Sequence, residues 1–332
     1  MIKRILYTLL IMFPVVASAQ INTDRVMAIG RNALYFEDYV LSIQYFNQVI
    51  NAKPYLSDPY FYRGLAKINL DDFQGAESDC SEAIERNPFV VSAYQVRGLA
   101  RIQQNNFAGA IEDYTKALEF DPENIGVWHN MALCRIRQED YKGAKNDLDK
   151  LIAISPRYTK AYLMRGEVDL KQKDTLAAEK DFGKAIEIDR YDADTWASRA
   201  ILRLQQQRYK DAEADFDHAI RLSTRNSGVY INRALARYHQ NNLRGAMSDY
   251  DIALDIDPNN FIGHYNRGLL RAQVGDDNRA IQDFNFVIEM EPDNMMAIFN
   301  RGLLLDQTGD YKGAIKDYST VINEYPNFLL GY

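Results

Sequence analysis

Residues 264–270 read HYNRGLL, and thirty-four residues later, at 298–304, the chain reads IFNRGLL. Prolines keep the same interval: Pro54, Pro88, Pro122 and Pro156 are each thirty-four residues apart, and the series resumes in phase at Pro258, Pro292 and Pro326. Arg190 and Thr224 hold the two positions between. A constant period of this length marks one supersecondary unit repeated in tandem, which overrides the two domains that 332 residues alone would imply.

Nine repeats begin at residues 23, 57, 91, 125, 159, 193, 227, 261 and 295 and account for residues 20–328. With each numbered from 1 to 34, position 4 carries Tyr60, Tyr94, Trp128, Tyr162, Trp196 and Tyr230. Position 8 is always Gly or Ala, position 20 is alanine from Ala76 to Ala314, and position 24 is mostly Phe or Tyr. These positions fall into two groups at helical spacing, divided by polar turns such as QNN, QED and TGD, so each repeat is expected to be two short helices. Asp38, Asp72, Asn106, Asp140, Asp174, Asn242, Asp276 and Asp310 stand at position 16, where their side chains can accept hydrogen bonds from first-turn amides of the second helix. Arg208 is the exception. Small residues at positions 8 and 20 let the two backbones approach, and proline at position 32 turns the chain into the next repeat. No linker, low-complexity run or composition shift divides the nine.

Over nearly the whole mature chain this pattern of small, aromatic and proline positions resembles the tetratricopeptide-repeat family. The resemblance implies an all-α fold, a right-handed superhelical solenoid of helix-turn-helix repeats whose first helices line a concave groove. A single helix pair cannot bury both its faces, so stability is expected to come from stacking on neighbours.

The family pattern is apolar at position 7, whereas this chain carries Arg63, Arg97, Arg165, Arg199, Arg233, Arg267 and Arg301 there. In the same repeats position 23 is Asp79, Asp113, Asp181, Asp215, Asp249, Asp283 and Asp317. Repeat one has neither, with Ile29 and Tyr45 instead, and in repeat four Met131 leaves Asp147 to find Arg135 or Arg165. Because the two positions change nearly together, the arginines are expected to form structural ion pairs with aspartates of the second helices, in their own repeat or a neighbour's.

Position 6 carries Asn130, Asn232, Asn266 and Asn300. One residue along a helix is about 100° of rotation, so these amides point away from the arginines. An amide both donates and accepts, and a row of them can hold the backbone of an extended peptide whatever its side chains. Such a row resembles the asparagine ladder of the O-linked N-acetylglucosamine transferases; His129, Ile231, Tyr265 and Phe299 at position 5 would add apolar contact. Tyr62, Val96, Met164 and Ser198 interrupt the row, and a solvated or capping role is the alternative. The family's clamp for a C-terminal carboxylate needs lysine at position 5 and asparagine at position 9, and these sites are mostly apolar here.

Catalytic signals are lacking. His129, His218, His239 and His264 never take a metal-site spacing, and neither GxSxG nor a phosphate-binding glycine loop is present. No catalytic residue, metal or cofactor is expected. Cys80 and Cys134 fall at mostly apolar repeat positions and read as buried free thiols.

The first residues, MIKRILYTLLIMFPVVASAQ, place Lys3 and Arg4 before a short apolar run and Ala17-Ser18-Ala19 after it, the pattern of a secretory signal peptide over residues 1–19. The run is shorter than the ~20 residues of a membrane span. Export to a bacterial periplasm or cell envelope is therefore expected. The formal charge is −7, and loss of Lys3 and Arg4 makes the mature chain more acidic still, which opposes nucleic acid. The last residues, 329–332, read LLGY and occupy the opening positions of a tenth repeat, pointing to a longer protein or to an uncapped end covered by a partner or by self-association. The functional expectation is a non-catalytic protein-protein interaction scaffold that takes an extended polypeptide in its groove. The alternatives are a substrate-recruiting arm of a larger enzyme and a part of an envelope-assembly or glycan-handling complex.

Overall fold

A computed structural model describes residues 22–324, so the leader at 1–19 and the start of a tenth repeat at 329–332 lie outside the described residues. The chain divides between Ser155 and Pro156 into two compact units. Position 32 of repeat four stands at that division, and nothing in the local sequence distinguishes it from the other repeat boundaries.

The first unit contains α1 (Thr23–Tyr35), α2 (Tyr39–Ala52), α3 (Asp58–Ile68), α4 (Phe73–Arg86), α5 (Val91–Gln103), α6 (Phe107–Phe120), α7 (Ile125–Arg137) and α8 (Tyr141–Ile154). The second contains α9 (Thr159–Lys171), α10 (Thr175–Ile188), α11 (Ala193–Gln205), α12 (Tyr209–Leu222) and α13 (Ser227–His239). It continues with α14 (Leu243–Ile256), α15 (Phe261–Gln273), α16 (Asp277–Met290), α17 (Met295–Gln307) and α18 (Tyr311–Glu324). Every repeat is thus a helix pair, and among the described residues there is no strand. Each unit is an all-α helical-repeat stack.

One three-residue turn recurs between the paired helices. Position 15 takes a left-handed conformation in all nine repeats, at Glu37, Asp71, Asn105, Glu139, Lys173, Gln207, Asn241, Gly275 and Gly309. That geometry lets the next backbone N–H reach back across the end of the first helix, as Asp38 N does to Ala33 O at 2.8 Å and Asp140 N to Arg135 O at 2.9 Å. The same residue then caps the second helix: Asp38 Oδ1 accepts from Leu41 N and Asp140 Oδ1 from Gly143 N. Position 16 therefore closes one helix with its backbone and opens the next with its side chain. Asp276 departs from the expectation, making no cap hydrogen bond and lying 3.5 Å from Arg279 instead.

The core forms at the contact between the paired helices. Alanines at position 20, from Ala76 to Ala314, are buried throughout. Where position 8 is Gly30, Gly98, Gly166, Gly268 or Gly302, the position-24 ring packs closely against it. A β-carbon added at Gly98 would stand 2.7 Å from Tyr114, and one at Gly166 only 2.6 Å from Phe182, so these sites have little room for a side chain. The position-4 aromatics have a second use. Trp128 Nε1 donates to Pro122 O at 2.8 Å, Tyr162 OH to Pro156 O at 3.1 Å and Trp196 Nε1 to Arg190 O at 3.0 Å, each fixing the turn that enters its repeat. Cys80 and Cys134 are buried free thiols, and burial pushes Cys80 up to about 12 and Cys134 up to about 11.

Within each unit some successive first helices also touch, α1 with α3 and α3 with α5, then α11 with α13 and α15 with α17. No two second helices pack as closely. The row of first helices is accordingly the inner side of each stack.

Candidate functional site

The arginines of position 7 do not face the inner surface. In all seven repeats that have one, Nε and Nη2 grip both carboxylate oxygens of the position-23 aspartate in the same repeat, at 2.5–3.1 Å. These pairs are Arg63–Asp79, Arg97–Asp113, Arg165–Asp181, Arg199–Asp215, Arg233–Asp249, Arg267–Asp283 and Arg301–Asp317. A second cation, one turn further along the first helix, meets the same carboxylate at 2.7–3.0 Å: Lys67, Arg101, Arg203, Arg237 and Arg271.

The remaining guanidinium nitrogen, Nη1, reaches position 25 of the preceding repeat. Arg63 donates to Asn47, Arg97 to Ser81, Arg233 to Asp217, Arg267 to Asp251 and Arg301 to Asn285, at 2.6–3.1 Å. For Arg199 the corresponding residue is Gly183, which has no side chain to offer. Each complete arginine thus joins three helices, and the aspartates of the seven pairs are only 1–5 % exposed. Burial alone would lower the Arg233 guanidinium, but the hydrogen bonds it donates to Asp249 and Asp217 leave it raised.

Two aspartates bracket the range of environments. Asp147, whose repeat has Met131 at position 7, bonds Arg135 at 2.7 Å, and burial drives its carboxyl up to about 6. Asp283 is equally buried, yet hydrogen bonds from His264 and Arg267 overcome the burial and leave its carboxyl lowered. His264 supplies that extra contact with Nδ1 2.9 Å from Asp283 while its ring stacks on Phe286. Burial also raises Asp113, in spite of Arg97 and Arg101.

The surface left for a partner is the other stripe of the first helices, positions 2, 5, 6 and 9. It is richest at the end of the second unit. There α15 presents Ile262, Tyr265, Asn266 and Leu269, and α17 repeats the set as Met296, Phe299, Asn300 and Leu303. Ile262 is 50 % exposed and Met296, Leu269 and Leu303 are 38–39 % exposed, which is unusual for four large aliphatic side chains in register on neighbouring helices. Phe261, Ile262, Tyr265, Asn294 and Met296 surround a depression of about 230 Å³ between the first turns of α15 and α17. Asn300 Nδ2 donates to Tyr265 OH at 3.2 Å, tying the two helices across this face.

The expected peptide-contacting residues are not equivalent in their surroundings. Asn266 is half-buried, and its side-chain amide makes no hydrogen bond to the described residues. Asn232 donates one Nδ2 hydrogen to its own helix at Gly228 O, 2.9 Å away, leaving its carbonyl oxygen and its second amide hydrogen for a ligand. Ile231 is a correction: it is 6 % exposed and belongs to the core with Tyr230, Ala234 and Tyr250. Its side chain fills the space opposite Gly263, where an added β-carbon would lie 3.4 Å from Ile231 Cδ1. Tyr265 and Phe299 are half-buried, packed on Phe284 and Tyr318. In the first unit, His129 and Asn130 are half-buried on α7. The Asn130 amide faces the Tyr114 phenol and counteracts the rise that burial imposes on it, although Tyr114 OH has no partner at hydrogen-bond geometry.

Among the described residues no group of His, Cys, Asp and Glu could hold a metal ion, and no helix is long and apolar enough to cross a membrane.

Comparison with known proteins agrees with the repeat geometry. Residues 98–134 match a TPR repeat model; 125–158 and 159–192, and separately 198–261 and 265–327, match tetratricopeptide repeat models. No curated protein sequence matches the chain. Among solved structures, a tetratricopeptide repeat protein from Parabacteroides merdae is similar over 75 % of this chain and 98 % of its own, with 21 % identity and a TM-score of 0.57. Pseudomonas aeruginosa pilF is similar over 65 % of this chain and 97 % of its own, with 19 % identity and a TM-score of 0.55. The APC/C hetero-tetramer Cut9-Hcn1 is similar over 88 % of this chain and 57 % of that one, with 13 % identity and a TM-score of 0.57. At these identities the likeness is one of fold.

Proposed function

The chain belongs to the tetratricopeptide-repeat family, a scaffold fold typical of protein-protein interaction, and from that premise we propose that it is a non-catalytic docking protein that holds an extended polypeptide along its first helices. The observation that carries this reading is the stripe on α15 and α17, where exposed aliphatic side chains alternate with the amides of Asn266 and Asn300. The charged side chains of position 7 are satisfied internally, so they stabilise the stack and leave the stripe as the distinctive surface. Apolar side chains would supply contact area, and the amides would meet a peptide backbone. We further propose export to a bacterial periplasm or cell envelope, supported by Lys3, Arg4, the apolar run that follows and Ala17-Ser18-Ala19.

Pull-down from an envelope fraction tests the docking site. Asn232, Asn266 and Asn300 changed together to Ala should lose the partners that the unaltered chain retains; recovery of the same partners in equal amount would refute it. N-terminal sequencing of the chain purified from cells tests export: a start at Gln20 is expected, and a chain that keeps Met1 and stays in the cytoplasm would contradict it.

A further inference from the structure

The depression between α15 and α17 has a chemistry narrower than that of a general peptide groove. Four of its five lining residues, Phe261, Ile262, Tyr265 and Met296, are apolar. Its volume of about 230 Å³ is below the roughly 300 Å³ at which small-molecule sites begin. A single large side chain suits it better, and buried aromatic or aliphatic anchors of this kind dominate many interfaces.

The loops that lead into α15 and α17, residues 257–260 and 291–294, adjoin the depression, since Phe261 and Asn294 line it. They read DPNN and EPDN. They bring Asp257, Glu291 and Asp293 and contain no lysine or arginine. Two of these acids are tied to the helix starts, since Asn260 Nδ2 donates to Asp257 at 3.2 Å and Asn294 Nδ2 to Glu291 at 3.0 Å. Asn294 also lines the depression, so the Glu291 carboxylate stands at its edge. The arginines of α15 and α17 cannot offset this charge, because Arg267, Arg271 and Arg301 are held by Asp283 and Asp317 on the other side of their helices. His264, the remaining basic ring on α15, is engaged by Asp283 and by Pro258 O.

We propose that this depression is the specificity pocket of the docking face, and that it takes a bulky apolar side chain flanked by lysine or arginine in an extended segment of the partner. The proposal rests on the docking reading above. Charge complementarity at the rim would speed encounter and select against acidic segments, while the pocket supplies the affinity. The Tyr265–Asn300 hydrogen bond holds the pocket wall in place.

The test uses the full mature chain and three fluorescein-labelled nine-residue peptides on a common Gly/Ser framework. The first has a central tryptophan with two lysines on each side, the second replaces the tryptophan by alanine, and the third replaces the lysines by glutamates. Fluorescence anisotropy at about 0.1 M salt should give saturable binding of the first and at least tenfold weaker binding of the other two. Ile262→Ser with Met296→Ser alters only exposed side chains, and should weaken the first peptide at least fivefold with an unchanged melting curve. If the lysine and glutamate peptides bind equally, and Asn266→Ala with Asn300→Ala weakens both, the docking face stands and the specificity proposal falls. Binding that ignores the Ile262 and Met296 changes overturns the pocket. No saturable binding of any peptide overturns the pocket and counts against the docking face as well.

Discussion

Asp147 accepts its charge-assisted hydrogen bond from Arg135 in a repeat where Met131 replaces the bidentate arginine. An acid with a folded pKa above its unfolded value favours the folded state when protonated. The usual 3.8 against about 6 in the fold means that the penalty is absent below about pH 4, develops between about pH 4 and 6 and is complete above. At about 1.4 kcal/mol per unit, it amounts to about 2 to 3 kcal/mol at neutral pH. Met131→Arg, with Thr115 opposite at position 25, should return the Asp147 carboxyl towards the ordinary carboxylate range and flatten this part of the stability profile. Carbon-detected NMR titration of Asp147 checks it, and an unchanged midpoint would contradict the coupling.

Arg233 links Asp249 in its own repeat to Asp217 in the one before, so Arg233→Leu should leave a buried carboxylate with Arg237 as its remaining partner. A loss of about 3 kcal/mol is expected, the scale at which removing one member of a buried pair is felt. Adding Asp249→Asn removes the stranded charge and should recover part of that loss. Urea denaturation of the single and double variants decides; a double variant at least as unstable as Arg233→Leu would refute the pairing energetics.

Gln207 and Gly309 occupy the same left-handed turn position, at φ 61° and 88°. Gln207→Gly relieves the β-carbon's clash and should raise stability by up to about 1 kcal/mol, whereas Gly309→Ala should lower it by about the same amount. Thermal melts that move in the same direction for both would contradict this reading of the turn.

The exposed end of the arginine network should respond to salt differently from its buried part. Arg208 pairs with Glu179 and Asp211 at a largely solvated site, while Arg233 meets Asp249 out of water. Raising ionic strength screens the first and spares the second. Arg208→Ala should therefore cost under about 1 kcal/mol in low salt and nearly nothing at 1 M. A cost that persists at high salt would show a buried role for Arg208.

Much of this was legible in the sequence because the repeat multiplies each signal. The spacing of prolines, alanines and aromatics marks out paired helices, and the linked changes at positions 7 and 23 pick out the arginine-aspartate contacts. Other features lack a residue signature. Position 15 is left-handed whether it is Glu, Asp, Asn, Lys, Gln or Gly, because the helix ends on either side impose the turn. The link from arginine to position 25 escapes notice because its acceptor varies among Asn, Ser and Asp. Ile231 shares position 5 with Tyr265 and Phe299, but Gly263 on the neighbouring helix leaves a gap that draws it into the core. The division at Ser155 has no mark in composition, since the repeat boundary there reads like the others.

Photo-crosslinking in the cells that make the protein tests the docking face most directly. Benzoylphenylalanine is placed at Leu269 on the inner row in one strain and at Leu176, 80 % exposed on a second helix, in another. Adducts to a second polypeptide should form from position 269 and be absent from position 176. Adducts from 176 alone, or equally from both, would contradict the claim that the first helices carry the partner.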